Sequence, residues 1–130
     1  MQTEFKAGAV VYAKDIARVS QFYSHVVGLP ITLRETEFVV LQSLTFQLVV
    51  VAVPSEIAAQ ITIETPPVRR EDTAVKLCFS VSSIEAAREE AAMWGGQLNG
   101  SEREWEFQGS HVCDGHDPEG NVIQVRARVP

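Results

Sequence analysis

Apolar residues at Ile16, Val19, Tyr23, Val26 and Val27 recur with the period of an α-helix, Asp15 stands where an N-cap would, and Gly28 follows as a stop, which predicts a helix over 15–27. A second segment repeats the design. Ser82 and Glu85 have the spacing of a capping box, Ile84, Ala87, Ala91 and Trp94 share one face, and Gly95-Gly96 ends the run. Short β-like runs precede both helices, Ala9 to Ala13 and Val75 to Val81. After the first helix the pattern turns β-like at Ile31 to Leu33, Phe38 to Leu41 and Phe46 to Val53; after the second it does so at Trp105 to Phe107, His111 to Cys113 and Val122 to Val129. Each half therefore reads βαβββ. One interval separates Ile16 from Ile84, Gly28 from Gly96 and Val11 from Phe79, which indicates two copies of one supersecondary unit. Pro54, Pro66, Pro67 and the charges behind them mark 54–73 as a connector, so a single α+β domain over 1–130 is expected, with modules at about 5–53 and 74–130.

Composition narrows the partners. Seventeen acidic residues against eleven basic ones in 130 give a net charge of −6, the wrong sign for a nucleic-acid surface. The one basic pair off a strand, Arg69-Arg70, runs straight into Glu71-Asp72 and reads as a solvated loop. The longest apolar run, Leu48 to Val53, is far short of the roughly 20 residues that span a bilayer, so no membrane partner is expected. No apolar leader follows Met1, and Cys78 and Cys113 are accordingly read as reduced thiols in a cytoplasmic protein.

The paired βαβββ units, the helix Asp15-Ile16-Ala17-Arg18-Val19-Ser20-Gln21-Phe22-Tyr23 leading into Val27-Gly28-Leu29, and the late turn Asp117-Pro118-Glu119-Gly120-Asn121 together resemble the vicinal oxygen chelate superfamily of glyoxalases, extradiol dioxygenases and fosfomycin- and bleomycin-resistance proteins. By itself the turn is an ordinary tight hairpin, with Pro118 presetting φ and Gly120 accepting a positive one. The resemblance implies two curved sheets around a cavity, a homodimer, and, in metal-dependent members, ligands on the first and last strands of each module. The corresponding residues are Gly8, Lys76 and Gln124, with Gln47 as the only candidate on the fourth strand of the first module. Gly8 offers no donor, Lys76 a cation and Gln124 a neutral amide. The expectation is therefore no metal and no cofactor.

Strand alternation assigns the remaining side chains. If Gly8, Lys76 and Gln124 face inward, so do Val10, Tyr12, Cys78, Ser80, Val122 and Arg126, while Val11, Leu77, Phe79, Ile123 and Val125 back onto the helices. Two cations on one face of an acidic protein suggest an anionic or carbonyl-rich ligand, although Lys76 could equally be spent on an internal glutamate. Trp105, between Glu104 and Glu106, puts one bulky aromatic on a face by itself; the resemblance to bleomycin-resistance proteins, whose groove aromatics stack on planar ligands, implies that role, and the alternative is that it covers a barrel end or dimer contact. His111, Cys113 and His116 form the densest group of potential ligands, yet a convergent site there would need a favourable bend. No nucleophile elbow is present. His25 reads as solvent-facing and Trp94 as core. The expected function is a small-molecule-binding protein whose ligand meets Tyr12, Lys76, Cys78, Ser80, Trp105, His111, Gln124 and Arg126. The alternatives are an enzyme of the same superfamily, using Lys76, Tyr12 or His111 in acid–base work or a metal held by other ligands, and a regulatory module with a vestigial pocket.

Overall fold

A computed structural model describes residues 4–130. Strand β1 (Ala7–Ala13) leads into helix α1 (Ile16–Val27), followed by β2 (Ile31–Arg34), β3 (Phe38–Gln42) and β4 (Phe46–Ala52). These strands form a sheet in the order β1-β4-β3-β2, with β1 parallel to β4. The connector carries one turn of helix, α2 (Ser55–Ala58). Then come β5 (Leu77–Ser80), α3 (Ile84–Met93), β6 (Gln97–Leu98), β7 (Trp105–Phe107), β8 (Ser110–His116) and β9 (Val122–Arg128). The second sheet runs β5-β9-β8-β6, with β5 parallel to β9 and β7 paired to β8. Two curved mixed sheets, neither closed, give the expected α+β architecture.

Local chemistry explains the first helix as predicted. The Asp15 carboxylate accepts the Arg18 N–H at 3.0 Å, and Gly28 closes the helix at φ 77°. The second helix departs from expectation at both ends. Its cap is Ser83, whose hydroxyl accepts from Ala86 N–H at 3.1 Å, one residue beyond the Ser82 of the apparent capping box. Its left-handed residue is Gly95 at φ 91°, while Gly96 is needed for close approach: a Cβ there would lie 2.4 Å from the His116 carbonyl. The interval that relates the two helices thus holds at their N-caps, Asp15 and Ser83, and slips by one only at their C-terminal ends, where Gly95 and not Gly96 matches Gly28.

The second module also has one strand more than the sequence pattern shows. The two-residue β6 pairs Gln97 with His116 and Leu98 with Gly115, taking the outer position that β2 holds in the first sheet. β7 and β8 form a hairpin whose turn residues, Gln108 and Gly109, both have positive φ, as a primed turn requires.

The core lies between sheets and helices. Val19, Phe22, Tyr23 and Val26 of α1 and Ile84, Ala87 and Ala91 of α3 are buried with Leu41, Leu48, Val50, Phe79, Ile123 and Val125. Trp94 packs against this core half-buried, its ring stacked on exposed His25 at 3.9 Å and donating from Nε1 to Glu90.

The turn after β8 is far more than a surface hairpin. Asp117 is fully buried and accepts from Tyr23 Oη at 2.8 Å, from the Glu119 and Asn121 backbone N–H groups, and from Asn121 Nδ2 at 2.8 Å. Glu119 accepts the backbone N–H groups of Lys14 and Asp15, both at 2.8 Å, just ahead of α1. Burial, reinforced by the Asp117 carboxylate, holds the Tyr23 phenol well above its usual range, so it stays protonated. Arg70 belongs to the same assembly. Its backbone N–H donates to Gly120 O at 2.8 Å and its Nε to Glu119 O at 3.3 Å, so Arg70, exposed in a loop as expected, is also anchored to the turn.

Candidate functional site

Directly opposed residues point to the same side of a sheet. In the second sheet Cys78 lies opposite Gln124 and Ser80 opposite Arg126, Asp114 opposite Gln124 and Val112 opposite Arg126, and Trp105 opposite Val112. Phe79, Ile123, Val125 and Cys113 are buried against the helices, so the first set occupies the open face. Phe107 joins them, two residues along β7 from Trp105. The indole is therefore not alone on its face.

Polar side chains on this face are linked end to end. Lys76 Nζ donates to Asp114 Oδ2 at 2.8 Å, Gln124 Nε2 donates to Asp114 Oδ1 at 3.1 Å, and Arg126 Nε donates to Gln124 Oε1 at 2.9 Å. The Arg126 guanidinium carbon sits 5.1 Å from the centre of the Phe107 ring, within cation–π range. Lys76 is thus half of an ion pair, and its partner is an aspartate across two strands, not a glutamate.

The first sheet presents a different open face. Val10 lies opposite Val49, Tyr12 opposite Val51, and Leu33 opposite Val40, giving an apolar surface from which the Tyr12 ring projects 63% exposed. At its lower end Gly8 faces Gln47 and Gln47 faces Gln42, with Gln47 Nε2 donating to Gln42 Oε1 at 3.0 Å. That register puts Gln47 on the open face. The unpaired edges of β1 and β5 flank a crevice of about 390 Å³ lined by Val10, Tyr12, Tyr23, Arg70, Thr73 and Leu77.

The candidate residues thus separate into three places. Lys76, Cys78, Ser80, Trp105, Gln124 and Arg126 share the second sheet's open face, and Tyr12 stands on that of the first. His111 lies opposite Ala127 and Glu106, on the side that carries Cys113, and so does not join them. Asp114 and Phe107 escaped the sequence reading. Alternation from Cys113 and from Trp105 was the signal that could have found them.

The donor set does not fit a divalent metal. A Cβ at Gly8 would lie 2.8 Å from the Gln47 carbonyl, Gln47 and Gln124 are amides already hydrogen-bonded, and the nearest carboxylate, Asp114, is neutralised by Lys76. Among the described residues, no three His, Cys, Asp or Glu side chains converge as such a site would require. Cys113 is buried, its thiol pushed up by burial against the opposing pull of Arg88, and it donates to Asn99 O at 3.3 Å. His116 is buried with Nδ1 2.9 Å from the Asp117 carbonyl.

A family model described as a glyoxalase-like domain matches residues 8–126. No curated protein matches the chain. Among solved structures, a glyoxalase/bleomycin resistance protein/dioxygenase family enzyme from Burkholderia phytofirmans PsJN is similar over 94% of this chain and 97% of its own, at 21% identity and a TM-score of 0.66. A glyoxalase/bleomycin resistance protein from Albidiferax ferrireducens T118 is similar over 96% and 98%, at 18% identity and a TM-score of 0.66. A bleomycin-binding protein, solved with bleomycin, is similar over 98% and 100%, at 14% identity and a TM-score of 0.58. No helix of the described residues is long and apolar enough to cross a membrane.

Proposed function

The chain belongs to the glyoxalase-like domain family, and on that premise we propose that it is a small-molecule-binding protein that takes an organic ligand against the open faces of its two sheets without a metal. The observation that carries this reading is the division of labour between those faces. One is apolar with Tyr12 standing on it; the other holds an oriented polar chain ending in Arg126, beside Trp105 and Phe107. An apolar wall with a few placed polar groups is the usual composition of a small-molecule site. Fold alone would not choose a function, since this superfamily hosts many.

A homodimer is part of the proposal, because a second copy would cover apolar surface and unpaired β1 and β5 edges that a single chain leaves open. A cytoplasmic location accords with the two free thiols. Of the acid–base groups named for turnover, His111 is on the far side of its sheet and Lys76 is tied to Asp114, which leaves Tyr12 alone of the three open on a sheet face and favours binding over catalysis.

Native mass spectrometry with elemental analysis tests the reading on one preparation. The expected result is a dimer carrying an organic molecule and no stoichiometric divalent metal. Near one equivalent of zinc, nickel, manganese or iron per chain would overturn it.

A further inference from the structure

Three cations stand on the open face of the second sheet, Lys76, Arg126 and, opposite Ser110 at the end of β9, Arg128, and they are not equivalent: Arg128 is exposed and, among the described residues, no hydrogen bond, ion pair or ring fixes its side chain. Lys76 spends its charge on Asp114, whose other oxygen takes the Gln124 amide, so that corner is neutral. Arg126 bonds only through Nε to the uncharged Gln124 oxygen, and its terminal amino groups have no ion-pair or hydrogen-bond partner among the described residues. Its plane is nonetheless held, by that bond at 2.9 Å and by the Phe107 ring at 5.1 Å. A guanidinium fixed in this way is preorganised for two parallel bonds to a carboxylate, a geometry a lysine does not offer.

The apolar surroundings define the rest of the ligand. Trp105 and Phe107 remain 43% and 46% exposed, a large aromatic area left to water. Val112, between Trp105 and Arg126 in the same row, is only 1% exposed although it points to the open face. Its neighbours close over it, so nothing can insert between them and a ligand must lie flat on top. Trp105 and Arg126 stand two strands apart, roughly 10 Å at the usual strand spacing. That span matches a fused two-ring aromatic bearing one carboxylate.

We propose that Arg126, with Trp105 and Phe107, receives a planar aromatic carboxylate, Gln124 orienting the guanidinium and Lys76 masking the Asp114 charge that would otherwise repel the anion. The proposal rests on the small-molecule-binding reading of this face and names its ligand class.

Titration calorimetry of the full chain with 2-naphthoate, 2-naphthamide and cyclohexanecarboxylate tests it. 2-Naphthoate should bind at least about tenfold tighter than either control. R126Q should bring it down to about the level of the amide. R126K, which keeps the charge but loses the fork, should restore only part of the difference, and K76Q should cost less than about threefold. Melting curves verify that the variants fold. Equal binding of naphthoate and naphthamide, or a larger loss in K76Q than in R126Q, would overturn the anion site while leaving small-molecule binding intact. Failure of both aromatics while another organic molecule co-purifies has the same consequence. Failure of both with nothing co-purifying overturns this inference and the binding reading together. Conversion of the dimer to monomer by R126Q, with no ligand bound, would assign the face to a second copy and overturn the site.

Discussion

Two aspartates of this protein use similar partners in opposite settings. Asp117, with no solvent exposure, accepts four hydrogen bonds, one of them at 2.8 Å from Tyr23 Oη. Asp114 also makes a 2.8 Å bond, to Lys76 Nζ, but the two side chains of that pair remain 40% and 27% exposed for Lys76 and Asp114. Water decides what each contact is worth. In the interior an unmade bond leaves its partners stranded, and the cost falls on stability. On the open face water replaces a lost partner, so the same chemistry adds little to stability and stays available to a ligand.

Asp117→Ala should break that comparison most severely, because it strands the Tyr23 hydroxyl and two backbone N–H groups together; a loss of about 3–5 kcal/mol by urea unfolding is expected. Glu119→Ala removes the acceptor of the Lys14 and Asp15 N–H groups, two part-buried bonds to a charged group, and should cost about 1.5–3 kcal/mol in the same measurement. Tyr23→Phe removes one bond to a charged acceptor and should cost about 1.5–3 kcal/mol. Its pH dependence sharpens the point. The folded state holds the Tyr23 proton more tightly than the unfolded chain does, so this stability is fully present below the ordinary phenol value near 10 and is lost as pH rises beyond it. The gap between wild type and Tyr23→Phe should therefore narrow above about pH 10. Lys76→Met is the smallest case: at most about 1 kcal/mol, vanishing in 1 M salt. A loss as large as that of Tyr23→Phe would show that the two settings do not differ as described.

Features set by neighbours in sequence are legible in the chain alone. The Asp15 cap and Gly28 stop need only residues within a helical turn, and alternation placed Cys78, Ser80, Gln124 and Arg126 on one face. Ser82 and Ser83 are chemically alike, so the cap could be misplaced by one. β6 has two residues and exists only through its pairing with β8, which no local pattern encodes. His111 and Cys113 do share a face, but which face follows from Cys113 lying opposite Val125, a matter of pairing across the sheet. The Asp117-Pro118-Glu119-Gly120-Asn121 turn looks like any hairpin because its partners, Tyr23, Lys14 and Asp15, stand at the other end of the chain.

That distance bears on how the molecule is made. The bonds that join Tyr23 to Asp117 and Asp15 to Glu119 close loops of 94 and 104 residues. At a translation rate of roughly 5–20 residues per second, α1 leaves the ribosome about 5–20 s before the turn that secures it. Until then the nascent first module carries the Tyr23 hydroxyl and the Lys14 and Asp15 amides without acceptors, along with the apolar side chains that α3 and β9 will cover. Completion of the N-terminal half is thus timed by the emergence of the C-terminal one, and a ribosome stalled before Asp117 holds a chain that cannot finish either.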